Sequence, residues 1–147
     1  MATTRRADAT WQGDLLSGTG TVTATSSAAF GPLPVTWASR TETADGRTSP
    51  EELLAAAHAS CFQMSFSGRL ARNGTPAEKL TVSAVVTFDK TDTGWKVAAS
   101  ALTVRGRVPG IDAATFAELA AGAKDGCPIS GALKGNVELS VEATLET

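Results

Sequence analysis

The segment from Ser49 to Gly74, SPEELLAAAHASCFQMSFSGRLARNG, constrains this chain more than any other, because it reads as one long helix with an uncharged middle. Ser49 suits an N-cap, Pro50 the first helical position, and Glu52, three residues after the serine, completes a capping box. Asn73-Gly74 is a C-terminal stop with Pro76 just beyond it, so the helix should run to about Arg72. Through Phe66 the residues are apolar or small on every side and the charges stand only at the two ends, which predicts a buried central helix. That helix carries Cys61, one of only two cysteines in the chain.

The other segments must pack around it. TGTVTATS at 19–26 alternates small and β-branched residues, and LPVTWAS at 33–39 can also extend, so the N-terminal region reads as short strands joined by Gly/Pro turns. Leu80, Val82, Ala84, Val86 and Phe88 alternate, the chain turns around Asp92-Thr93-Gly94, and WKVAASALTVRGRV extends again, which makes a long hairpin. GIDAATFAELAAGAKDG reads as a second helix with Asp112 as N-cap and Gly126 at its end. Cys127-Pro128 opens a short third helix ended by Gly135, and Val137, Leu139, Val141, Ala143 and Leu145 define one face of a closing strand. Strands, helix, hairpin, two helices and strand make an α+β fold, and 147 residues with 42% apolar content suit a single domain over 1–147.

Composition excludes some functions. A net charge of −2, 5% aromatic residues and no tyrosine offer neither the electrostatic footprint nor the stacking platform of a nucleic-acid binder. The leading MATTRRADATWQGD has two arginines but no apolar run behind them, so it is neither a secretory nor a twin-arginine signal. No stretch approaches the roughly 20 apolar residues of a membrane span. The expected location is a reducing cytoplasm, where a permanent disulfide is disfavoured and a transient one signifies redox chemistry.

Taken alone, each cysteine is more readily a small packing residue than a reactive one. Cys127 precedes a helix-opening proline, where the helix dipole favours a thiolate; Cys61 is mid-helix, where only a nearby cation or donor could activate it. They stand 66 positions apart, which is neither a CxxC redox motif nor a zinc pair. His58, three residues before Cys61, permits a Cys/His nucleophile or half a metal site, but the further ligands and the oxyanion hole are missing, so a structural or supporting role is expected. Glu51 and Glu52 are favoured in a first helical turn with or without chemistry. Trp37, Phe62, Met64, Phe66 and Leu133 could line an apolar pocket, and core packing is the plainer expectation for most of them.

The runs SPEELLAAAHASCFQMS, VPGIDAATF and AKDGCPISGALKG, with the early TWQGDLLSGTGTV, resemble the OsmC/Ohr family of thiol-dependent organic hydroperoxide reductases on its OsmC side, over nearly the whole chain. The resemblance implies an intertwined α+β homodimer with two active sites at the subunit interface and no metal or bound redox cofactor. Cys61 matches the peroxidatic cysteine, Cys127 the resolving one, and Glu51 the glutamate that holds an arginine over the reactive sulfur. That arginine maps best onto Arg40, with Arg47 as a rival in the variable segment SRTETADGRTSP.

The implied chemistry is a Cys61 thiolate attacking an organic hydroperoxide, leaving a sulfenic acid and an alcohol, followed by a Cys61–Cys127 disulfide. An external dithiol, such as a lipoylated protein, would restore the thiols, and a role in oxidative or osmotic stress defence follows by resemblance. Ten residues of helix separate Glu51 from Cys61 by about 15 Å along the axis, so the glutamate and its arginine are expected to reach Cys61 from the partner chain. The competing readings are a non-catalytic thiol protein of the same fold that binds an apolar ligand, and a hydrolase built on Cys61 and His58.

Overall fold

The computed structural model describes residues 1–147, which form two compact units, Met1–Leu53 and Leu54–Thr147. In the first, strands β1 (Asp8–Gln12), β2 (Thr19–Thr23) and β3 (Leu33–Val35) make an antiparallel sheet in the order β1-β2-β3. Trp11 lies opposite Gly20, and a Cβ at Gly20 would stand 2.6 Å from the indole, so the absent side chain is what lets the ring come this close to the strand.

The extended reading of LPVTWAS holds only as far as Val35 and is corrected beyond it, because Trp37–Thr41 is a short helix, α1. Thr36 accepts a hydrogen bond from the Ser39 amide at 3.0 Å while its own amide donates to Ser39 Oγ at 2.9 Å. This reciprocal box satisfies the two amides locally and outweighs the strand preference of Thr and Trp. Ser39 Oγ also donates to the Thr48 carbonyl at 3.0 Å, tying α1 to the segment that leads into the long helix.

That helix, α2, spans Pro50–Arg72, within a residue of the expected bounds. Ser49 Oγ caps the Glu52 amide at 3.1 Å, but the second half of the expected capping box is replaced. The Glu52 carboxylate takes the Thr48 hydroxyl at 2.7 Å instead.

In the second unit the hairpin β4 (Lys79–Thr91) and β5 (Gly94–Arg107) turns through Asp92 and Thr93, and β6 (Glu138–Leu145) adds parallel to β5, giving the order β4-β5-β6. The parallel pairing requires a long crossover, which α3 (Ala113–Gly126) and α4 (Pro128–Leu133) supply. Asp112 caps α3 by accepting the Thr115 amide at 2.7 Å, as its position in the sequence predicted.

His58, Phe62, Phe66 and Leu70, four residues apart, form the fully buried stripe of α2. The three apolar members pack with Leu102, Val104, Val108, Phe116, Ala120 and Ala123. Phe66 stands between Phe62 and Phe116, with ring centroids 5.6 and 5.0 Å apart in tilted pairs. The expectation of burial on every side is corrected: Ala56, Ser60, Gln63, Met64 and Ser67 are exposed along the opposite face, Met64 at 67%. Small side chains leave that face without the apolar area a core demands, so its low charge was no sign of burial within the chain.

Candidate active site

In the first unit, Arg40 in the last turn of α1 meets Glu51 in the first turn of α2. Arg40 Nε donates to Glu51 Oε1 and Nη2 to Oε2, both at 2.9 Å, a parallel two-bond pairing that fixes the guanidinium plane. The Glu51 side chain is only 10% exposed and that of Arg40 30%. The guanidinium also lies 5.9 Å from the centre of the Trp37 ring. Arg47 is engaged elsewhere, on Asp45 at 3.3 Å. Of the two arginines the sequence left open, Arg40 is the one brought to Glu51.

Arg40 forms one wall of a cavity of about 340 Å³ whose other walls are Trp11, Leu15, Val35, Thr36, Trp37 and Pro50. Trp11 and Leu15 were not singled out in the sequence. Of the five residues considered for an apolar pocket, Trp37 lines this one, Phe62 and Phe66 belong to the core, Leu133 is half-buried, and Met64 faces outward.

In the second unit α2 presents Cys61, half-buried, beside the Phe62 stripe, and the junction of α3 and α4 presents Cys127, 1% exposed. Both are free thiols, and the fold brings them near each other. Cys127 ends α3 and is the N-cap of α4, with Pro128 in the first turn, as the sequence predicted. Its sulfur makes no standard capping hydrogen bond.

The local environment treats the two sulfurs differently. Burial pushes the Cys61 thiol up, the Cys127 sulfur adds to that, and the Ile129 amide offsets only part of it. Burial also acts upward on Cys127, but hydrogen bonding from Cys61, from the Ser130 amide and hydroxyl and from the Ile129 amide outweighs it, and the net shift is downward. The two thiols titrate as one pair, in which the surroundings of Cys61 oppose ionisation and those of Cys127 favour it.

His58 is fully buried, with Nδ1 2.6 Å from Ser100 Oγ and Nε2 2.8 Å from Ser130 Oγ. Burial lowers its pKa, so the ring is neutral. Both ring nitrogens are taken by serines, so no Cys61–His58 dyad forms and the hydrolase alternative loses its base. Ser100 and Ser130 carried no signal in the sequence, since a serine in a strand and one in a short helix are ordinary until the fold brings them to one ring.

The profile of the OsmC-like protein family matches residues 43–142 of this chain. The chain is 39% identical over 142 residues to Peroxiredoxin OsmC of Escherichia coli strain K12, covering 97% of this chain and 98% of that one. It belongs to the OsmC family.

Organic hydroperoxide resistance protein-like 2 of Staphylococcus epidermidis is 30% identical over 103 residues, 67% of this chain and 69% of that one. The crystal structure of the organic hydroperoxide resistance protein OhrB of Bacillus subtilis shares the fold, with a TM-score of 0.75 at 23% identity over 95% of this chain and 98% of the other. No helix in this OsmC-family chain is long and apolar enough to cross a membrane.

Proposed function

We propose that this protein is a cytoplasmic thiol peroxidase that reduces organic hydroperoxides to alcohols, with Cys61 as the attacking sulfur and Cys127 as the resolving one. The observation that carries this reading is the closeness of the only two thiols in the chain, 66 residues apart in sequence. The Cys61 thiolate attacks the terminal peroxide oxygen and the O–O bond breaks. The alkoxide takes a proton and leaves as the alcohol, and Cys61 becomes a sulfenic acid. The Cys127 thiolate then attacks that sulfur, forming the S–S bond and expelling hydroxide, which leaves as water on protonation. An external dithiol, such as a protein-bound lipoyl group, returns the pair to thiols by exchange.

Cys61 has its thiol raised within the chain, so its ionisation calls for a cation. Arg40, held by Glu51, is suited to that task and to orienting the peroxide. The ten residues of α2 between Glu51 and Cys61 rise about 15 Å, which favours delivery of the Arg40–Glu51 pair from the partner chain of a homodimer. The exposed face of small residues on α2 suits close approach by a second subunit. The cavity beside Arg40, lined mainly by Trp11, Leu15, Val35, Trp37 and Pro50, fits the organic part of such a substrate.

Reduced protein is dosed with one equivalent of cumene hydroperoxide in the absence of reductant, and intact mass and free thiols are measured before and after. Loss of both thiols with loss of two hydrogens is the expected result. Two unreacted thiols would return the protein to the reading of a non-catalytic apolar-ligand binder. With Cys127→Ser, the expected product retains one added oxygen on Cys61, whereas Cys61→Ser should leave the peroxide unconsumed.

A further inference from the structure

Beside the fully buried stripe of α2 runs a second, half-buried one made of Cys61, Ser65 and Arg69, again four residues apart. It faces the end of α3. Cys61 stands near Cys127, and Ser65 Oγ makes a long contact of 3.5 Å to the Ala123 carbonyl. At the far end of the stripe the Arg69 guanidinium lies across Gly122 and Gly126, where an added Cβ would stand 2.9 Å from Nη1 and 2.6 Å from Nη2, respectively. A methyl group at either position would push the guanidinium aside. The two glycines, about one helical turn apart, therefore make a notch that admits it.

No carboxylate accounts for this placement, because Arg69 enters none of the ion pairs of the chain. The carbonyl end of α3 does favour a cation. That end also needs a hold. The buried residues of α3 are Phe116, Ala120 and Ala123, and only Lys124, Asp125 and Gly126, none of them buried, follow before Cys127. Glycine is the poorest helix former after proline, so Gly122 and Gly126 weaken the turn that leads to the cysteine. The Cys127 amide donates to the Ala123 carbonyl at 2.9 Å, so Cys127 goes where this turn goes. On its other side α4 is tied to α2 through Ser130 and His58. On the α3 side the polar ties to α2 are the long Ser65 contact and Arg69.

We propose that Arg69, seated across Gly122 and Gly126, clamps the last turn of α3 to α2 and so keeps Cys127 within reach of Cys61 for disulfide closure. Arg69 is thus a positioning residue that acts through the backbone leading to Cys127. In turnover, which rests on the peroxidase reading, the clamp speeds the attack of Cys127 on the sulfenic sulfur of Cys61, where an S–S bond replaces an S–O bond and hydroxide departs. Without it the sulfenic acid should last longer and be captured by dimedone in a larger share of molecules.

The deciding test needs no peroxide. Protein is equilibrated in a series of reduced and oxidised dithiothreitol mixtures, in which the two thiols pass two electrons and two protons to the cyclic disulfide, and the Cys61–Cys127 bond is scored by peptide mass. Arg69→Ala should require an oxidised-to-reduced ratio higher by about threefold or more to reach half closure. Gly122→Ala should shift the ratio in the same direction while keeping or raising the thermal midpoint, since alanine favours a helix over glycine. Because both substitutions break one contact, Gly122→Ala placed in the Arg69→Ala protein should leave the ratio within about twofold of Arg69→Ala alone.

The sign separates positioning from charge. A cation that only stabilised a thiolate would favour the reduced protein, so its loss would make the disulfide easier to form. A folded Arg69→Ala protein with an unmoved ratio, or one shifted towards easier closure, overturns the proposal, and so do additive effects of the two substitutions. Should Arg69→Ala fail to fold, Gly122→Ala, which keeps every native side chain, decides by the same measure. A native protein that closes the disulfide in these mixtures but consumes no hydroperoxide would end the peroxidase reading and leave the clamp standing.

Discussion

Arg40 owes its fixed position to Glu51, because a carboxylate that is only 10% exposed and bonded at both oxygens gives the guanidinium a single plane to occupy. Replacing either partner should therefore affect peroxide reduction more than folding. Arg40→Ala and Glu51→Gln are each expected to slow single-turnover thiol oxidation by about tenfold or more, about 1.4 kcal/mol of barrier. Arg47→Ala, which loses only an exposed contact to Asp45, should keep the native rate. A defect carried by Arg47→Ala instead would overturn the assignment. Arg40→Lys should resemble the alanine variant, since one ammonium cannot reproduce the two-bond fork.

The neutral, buried His58 has its own signature in stability. Its folded pKa lies below the ordinary 6.5, so as pH falls through that value the unfolded chain takes up a proton that the folded protein refuses. Stability should hold above neutrality and decline as pH falls through and below the ordinary 6.5, with the slope set by this proton. Thermal melts across that range check it. A midpoint that stays level would mean that the folded protein binds the proton as readily as the unfolded chain.

Elements fail or succeed here on a few contacts. Gly106 in β5 faces Phe116 of α3, and a Cβ there would stand 2.6 Å from the ring. Gly106→Ala should therefore overpack the core and cost about 1–3 kcal/mol, visible as a lowered thermal midpoint. Gly131 in α4 has nothing within 4 Å of an added Cβ and an ordinary helical backbone, so Gly131→Ala should be neutral or stabilise by about 0.4–1 kcal/mol. The opposite signs of two Gly→Ala changes separate packing from backbone entropy.

At the same scale, the bounds of α2, α3, α4 and the hairpin were readable because caps, stops and period-two alternation are local signals. The helix at Trp37–Thr41 escaped notice because its signal is a Thr–Ser box inside a stretch of strand-forming residues. The exposed face of α2 escaped notice because alanine and serine look alike in sequence whether a neighbouring subunit, the core or water lies against them.

For the whole molecule, the proposed homodimer has consequences beyond the site. If the face of α2 carrying Ala56, Ser60, Met64 and Ser67 is covered by a second chain, the folded state is linked to association. The thermal midpoint should then rise with protein concentration, and a monomeric variant should lose peroxidase turnover because Cys61 lacks its arginine. Sedimentation analysis paired with single-turnover oxidation checks both. A stable monomer with full turnover would overturn the interfacial site. We propose that the chain acts as one domain, in which case a single cooperative transition is expected.

The sequence by itself determined the α+β order of elements apart from α1, the long helix with its uncharged middle, the helix caps at Asp112 and Cys127, and the family, because each is written in short-range patterns or in motif order. Only the tertiary structure decided that Glu51 takes Arg40 rather than Arg47, that the two thiols come near each other, and that His58 is clasped by Ser100 and Ser130. Those outcomes depend on angles and distances between residues far apart in the chain, down to the 42 and 72 positions that separate His58 from its two serines. A hydroxyl at such a distance acquires its role only when packing removes water and leaves one ring within its reach.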